Sequence, residues 1–196
     1  MKLIVISAPE ALMGERDTMF QLFDLGLEKF HLRKPNYSPE KVANFLNVWP
    51  KELREKTVIH KHRFLAEKYK LGGLHHGADG QFETLNGTHP LTQSKSIHSL
   101  EELGNIDQNY DYTFLSPIFD SISKSDYKAA FSKKDIEKAL ETKKNPVYAL
   151  GGINSTTALE AKKLGFDGVA ILGTIWDTIM HKKLIEEFKR IQDICA

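Results

Sequence analysis

The chain is predicted to fold as a single-domain α/β protein, a compact TIM (β/α)8 barrel covering residues 1–196. Three observations carry this. Short apolar, strand-like segments alternate with helical patterns along the chain, which is the arrangement that builds a parallel sheet. Two successive β–α units over residues 145–176 each run from an apolar strand into glycine, as a phosphate-binding barrel end requires. A length of 196 residues with a hydrophobic fraction of 41% suits one core. Such barrels commonly take ~250 residues, so loops and some helices must be minimal.

The elements follow in order. MKLIVISAPE holds one lysine and a short apolar run without a cleavage site, so it reads as a first strand over 3–7 and not as a signal peptide. A helix is expected over 18–24, where Phe20, Leu22, Phe23 and Leu25 form an apolar surface for packing or association. A second strand over 29–32 precedes a helix over 39–49, for which Ser38 supplies a cap and Pro39 the first position. Strands over 57–60 and 73–75 bracket a helix over 63–69. Residues 77–90, GADGQFETLNGTHP, lack an apolar helical stripe, so a loop is predicted to replace the helix there. Strands follow over 92–96 and 112–115, with a short helix over 100–103 between them.

Ser132 caps a helix over 133–142, and a strand over 146–150 runs into Gly151-Gly152. Asn154-Ser155-Thr156 then opens a helix to residue 164, with Ala158, Leu159, Ala161 and Leu164 at helical spacing. Gly165 stops it. The last strand, over 169–172, runs into Gly173-Thr174, and a final helix is expected over 177–191. The charged runs at 51–56 and 133–144 read as solvated helix faces.

Lys+Arg 27 against Asp+Glu 26 gives a net charge of +1, which offers no global attraction to nucleic acid or membrane. The single cysteine, Cys195, excludes an intramolecular disulfide and a cysteine metal cluster, and fits a reducing cytoplasm. No apolar run approaches the ~20 residues of a membrane span. A cytoplasmic protein that handles a small molecule is expected, and a homo-oligomer is left open.

TIM-barrel active sites occupy the C-terminal ends of the strands and the loops that follow. His31 and Arg33 end the second strand, His60 and His62 follow the third, and His75 and His76 close the fourth. Ser96 and His98 close the fifth, and Ser116 and Lys124 follow the sixth. Six of the eight histidines thus gather at one end. Gly151, Gly152, Gly173 and Thr174 form the expected phosphate grip. Simpler roles suit the same residues. His31 and His75 alternate with apolar neighbours, as satisfied core imidazoles do; Arg33 suits a structural ion pair, Lys124 an exposed loop and Ser96 a turn. Three histidines could hold zinc with an open position. However, no fixed ligand spacing such as H-E-x-x-H occurs, and the alternation of His60 and His62 points them apart, so no histidine-bound metal is expected.

The segments HLRKP at 31–35, GLHHGADG at 73–80, SIHSLEE at 96–102, FLSPIFDSISKSD at 114–126, and PVYALGGIN with GFDGVAILGTI occur in an order that resembles the thiamine phosphate synthase/TenI superfamily. The resemblance runs from Leu3 to about Trp176. It implies a barrel that binds a small phosphorylated thiazole through the loops after strands seven and eight, with Gly151 and Gly152 at the phosphate.

For the synthase branch, which joins hydroxymethylpyrimidine diphosphate to thiazole phosphate and expels pyrophosphate, it implies that Arg33, Ser96, Ser121, Ser123 and Lys124 contact the diphosphate. The chain departs from that branch where His60-Lys61-His62 replaces Asn-Asp-Arg, and where Gly80 takes the place of a second metal-binding aspartate, with Asp79 one residue early. Mg²⁺ is implied only under this branch; otherwise no cofactor is expected. The TenI branch shifts a proton to aromatise a thiazole carboxylate phosphate, but its histidine aligns with Pro117. The base would then be His31, His60 or His76. A thiazole tautomerase is the leading expectation; a divergent synthase and a non-catalytic phosphate-ligand binder are the alternatives.

Overall fold

The structure, a computed structural model, describes residues 1–82, 89–120, 130–177 and 181–196. Eight parallel strands close into a barrel in sequence order. They are β1 (Lys2–Ile6), β2 (Lys29–Leu32), β3 (Thr57–Ile59), β4 (Gly73–His76), β5 (Thr92–Ile97), β6 (Tyr112–Leu115), β7 (Val147–Leu150) and β8 (Gly168–Ile171). The seam closes with Ile4 of β1 opposite Ala170 of β8. Above it, the Trp176 indole donates to the Ile6 carbonyl at 2.6 Å.

The helices are α1 (Glu15–Asp24), α2 (Pro39–Asn47), α3 (Lys51–Arg54), α4 (Phe64–Tyr69), α5 (Leu100–Gly104), α6 (Lys133–Glu141), α7 (Ser155–Leu164), α8 (Gly173–Trp176) and α9 (His181–Cys195). Their ends obey local rules. The Ser38 and Ser132 hydroxyls accept from the backbone of Lys41 and Asp135. Asn154 and Thr157 form a reciprocal capping box at the start of α7, and Gly165 ends that helix at φ 95°, a left-handed cap that glycine adopts without strain. No helix lies between β4 and β5 among the described residues; residues 83–88 of the segment expected as a loop lie outside them. The single helix expected over 177–191 is corrected: a separate turn, α8, starts directly after β8, and α9 runs on to Cys195.

Alternation along the strands sorts the side chains into two layers. Outward residues such as Val5, Phe30, Leu32, Ile59, Leu74, Leu115, Ala149 and Val169 meet the helices in the main core. Leu22 and Phe23 of α1 are buried in that layer, with Phe20 and Leu25 packed against it, so this apolar surface serves packing. Inward residues Ile4, Ile6, Tyr112, Phe114, Tyr148 and Ala170 form a smaller cluster that fills the lumen. No helix among the described residues is long and apolar enough to cross a membrane.

One ion pair joins the loops at the barrel's C-terminal end. Lys34 Nζ lies 2.5 Å from Glu15 Oε2, with side chains only 1% and 4% exposed. The other Glu15 oxygen accepts from the Ala8 amide, and Lys34 also donates to the Glu10 carbonyl. Burial raises the Glu15 carboxyl above its usual range, against the pull of Lys34. Removing one partner strands the other charge, whereas replacing both with apolar groups relieves it. Glu15→Ala is therefore expected to lower the unfolding free energy by about 3–5 kcal/mol in urea titrations. The Glu15→Ala/Lys34→Met double variant should recover most of that loss; equal losses in both variants would contradict this.

Candidate functional site

The strand ends enclose a cavity of about 470 Å³. Its lining includes the turns Gly151–Gly152 and Gly173–Thr174 and the polar side chains of Arg33, Ser96 and His98. Ile6, Phe114, Phe119 and Leu150 add an apolar wall, and His60 and His75 also line the cavity.

The glycine turns are fixed by close backbone approach. Gly152 has φ 64°, and a Cβ there would lie 2.4 Å from the Asp120 carbonyl oxygen; Gly151 has φ 97° and sits against Pro117. Backbone so bare can approach a phosphate. The amides of Ser155 and Thr157 at the start of α7 already donate to Glu187 and Asn154, so an anion here depends on the turns more than on that helix end. The Thr174 hydroxyl donates to the Ile153 carbonyl, tying the two turns together.

Other strand ends bring polar side chains to the cavity. Arg33 and Lys34 are neighbours on alternate faces: Arg33 is exposed at the cavity rim while Lys34 is buried against Glu15. His98 Nδ1 is 3.1 Å from the Ser116 carbonyl and 3.2 Å from its hydroxyl. Ser121, Ser123 and Lys124, expected at the diphosphate with Arg33 and Ser96, lie outside the described residues.

His31, His60 and His75 bring their ring nitrogens together, and strand parity decides the membership of this cluster. Leu74 packs outward, so its neighbour His75 faces the lumen and His76 faces away. His76 bonds Gln93 at 2.9 Å and lies edge-on to Tyr110, behind the barrel wall. His31 is fully buried beneath the cavity. Its Nδ1 lies 3.0 Å from His60 Nε2, and its Nε2 lies 2.6 Å from the Tyr112 hydroxyl. His75 is held by Ser94 at Nδ1 and Ser96 at Nε2, both at 2.8 Å, and its ring centroid is 4.2 Å from that of His60. His62 has φ 56° and reaches the Tyr37 carbonyl at 2.8 Å, so it diverges from His60 as the sequence predicts.

Of the three histidines expected as bases, only His60 lines the cavity. His75 and Tyr112 complete the cluster without having been singled out as site residues. The signal for His75 was present in the sequence: in GLHH, the one large apolar residue, Leu74, must face the helices.

Burial is the main cause that depresses the basicity of the cluster, reinforced by neighbouring positive charge. His31 and His60 fall well below the ordinary imidazole value, and His75 falls to about 3. Burial pushes the Tyr112 phenol up. The cluster is therefore neutral at neutral pH. Because the folded values lie below the unfolded one, the stabilisation is present above the unfolded value and lost as pH falls below it. Unfolding free energy should fall as pH drops from about 6.5 towards the folded value of His75, about 3, by up to about 1.4 kcal/mol per pH unit for each such imidazole. Urea titrations across that window check it: His75→Gln should flatten the slope, and an unchanged slope would contradict the assignment.

The chain spans about half the length of the curated relatives it matches. It is 34% identical over 101 residues to thiamine-phosphate synthase of Lysinibacillus sphaericus, covering 50% of this chain and 47% of that protein. With the Pyrococcus furiosus thiamine-phosphate synthase the identity is 32% over 97 residues, covering 49% and 46%. The crystal structure of thiamine phosphate pyrophosphorylase from Bacteroides thetaiotaomicron matches more fully, at 31% identity and a TM-score of 0.82 over 99% of this chain and 97% of that one. The family model for thiamine monophosphate synthase matches residues 5–175, which takes in all eight strands in whole or part. The chain belongs to the thiamine monophosphate synthase family.

Proposed function

We propose that the chain is a divergent thiamine-phosphate-synthase-type transferase. It would join a pyrimidine carrying a diphosphate to a thiazole phosphate, forming a carbon–nitrogen bond as the carbon–oxygen bond to the diphosphate breaks and pyrophosphate leaves. The observation that carries this reading is one cavity whose lining combines the bare glycine turns, the polar side chains of Arg33, Ser96 and His98, and the apolar side chains of Ile6, Phe114, Phe119 and Leu150. Two phosphorylated substrates need such a layout: the thiazole phosphate at Gly151, Gly152, Gly173 and Thr174, and the diphosphate at Arg33, Ser96 and His98. The aromatic and aliphatic wall suits two flat rings held face to face. Fixed donors at the diphosphate stabilise the charge that grows on the leaving group. Ser121, Ser123 and Lys124 are proposed to add to the diphosphate contacts.

The tautomerase reading has less support. It needs a base with a value near neutrality, and His60, the expected base on the cavity, is pushed well below that. Pro117, where the TenI branch carries its histidine, lines the cavity and can exchange no proton. The named relatives also favour the synthase.

Magnesium, the usual companion of a diphosphate, prefers hard oxygen ligands, and the residues present do not fit it. Lys61 stands where an aspartate is implied and donates to the Pro35 carbonyl at 2.6 Å. Gly80 has no side chain, and Asp79 is exposed and does not line the cavity. The cavity donors beside β3 and β4 are the imidazoles of His60 and His75.

Incubation with both substrates should yield thiamine phosphate. Arg33→Ala is expected to lower kcat by about 10²–10³-fold, and Gly152→Ala to raise KM for the thiazole phosphate, since its Cβ would meet backbone at 2.4 Å. Folded protein that binds thiazole phosphate and forms no product would overturn the transferase and leave a tautomerase or a silent binder.

A further inference from the structure

We propose that His31, His60 and His75 form a binding site for a divalent transition metal of the imidazole-preferring kind, such as Zn²⁺, on the floor of the cavity. One ring nitrogen from each histidine lies within 4.8 Å of the others. Imidazole suits zinc and its transition-metal neighbours, whereas magnesium wants oxygen. No carboxylate belongs to the cluster among the described residues.

The second observation is what surrounds the ligands. A metal-binding histidine commonly donates its other ring nitrogen to an outer partner, which fixes the tautomer. Here the Tyr112 hydroxyl takes His31 Nε2 and leaves Nδ1, the atom facing His60 Nε2 at 3.0 Å. The Ser94 hydroxyl takes His75 Nδ1 and leaves Nε2. Both outer partners are buried.

A tetrahedral site with metal–nitrogen bonds of about 2.1 Å separates its nitrogens by roughly 3.4 Å. The His31–His60 spacing is already close to that. Small ring rotations close the remaining gap, with His75 Nε2 exchanging its Ser96 hydroxyl contact for the metal. Three protein ligands leave one position open, and since His60 and His75 line the cavity, that position faces it. Arg33, exposed on the cavity lining, brings positive charge to the same space, so an anionic oxygen is the matching fourth ligand. A phosphate or diphosphate oxygen fits. The choice of that ligand rests on the transferase reading; the metal site itself does not.

The test uses the full chain, stripped with a chelator and titrated with Co²⁺ as a coloured probe, then with Zn²⁺ as competitor. One equivalent of Co²⁺ should bind with the visible absorption of a four- or five-coordinate ion, and Zn²⁺ should displace it. Binding should weaken at least tenfold in His60→Ala and in the milder His75→Gln. It should be unchanged in His89→Ala, whose imidazole contacts the Leu71 carbonyl. Zn²⁺ should also raise the Tm of the unaltered chain, a readout that needs no variant to fold. Absence of stoichiometric binding, or equal binding in folded His60→Ala, would overturn the site. Metal binding without thiamine phosphate formation would remove the transferase reading and keep the site. Coupling by a chain that binds no Co²⁺ would do the reverse.

Discussion

A closed barrel of eight short strands allows each strand only two or three inward positions, and every polar group placed there must find a partner inside the lumen. This constraint organises the molecule. Tyr112, Tyr148 and Phe114 occupy much of the lumen as an aromatic stack, with Tyr112 and Tyr148 4.9 Å apart and nearly parallel. Above them the imidazoles of His31 and His75 are buried and bonded across β2, β4, β5 and β6. A one-residue slip in β2 or β4 would turn Leu32 or Leu74 into the lumen and carry the histidines out to the helices. The hydrophobic layer and the polar cluster therefore fix the same register.

The same alternation divides charge at the rim. Arg33 and Lys34 are adjacent cations with opposite fates. Lys34 is neutralised by Glu15 and braces the loops after β1 and β2; Arg33 remains at the cavity rim. The cavity thus draws charge from Arg33 at its rim and bare backbone from Gly151 and Gly152. Its floor is neutral but rich in nitrogen lone pairs. Both proposals rest on that division.

Much of this was legible in the sequence. Ser38-Pro39, Ser132 and Asn154 announced helix starts because capping is local chemistry, and Gly165 announced an end for the same reason. The strands were legible from apolar runs. What escaped was set by tertiary geometry. His76 was expected as a candidate base, yet its parity places it behind the wall with Gln93 and Tyr110. Tyr112 gave no signal of its own, since only barrel closure brings it under His31, 81 positions earlier. The short helix α8 was hidden because its four residues are too few to show a helical stripe. No motif spacing announced the imidazole cluster, because its members come from three different strand ends.

The most direct measurement is a crystal structure of the chain with thiamine phosphate and pyrophosphate bound together. The account predicts the phosphate ester against the Gly151–Gly152 and Gly173–Thr174 turns, the pyrophosphate against Arg33, Ser96 and His98, and the rings along Phe114 and Leu150. A phosphate ester against Arg33, or ligands bound outside this cavity, would contradict the division of the site on which the account depends.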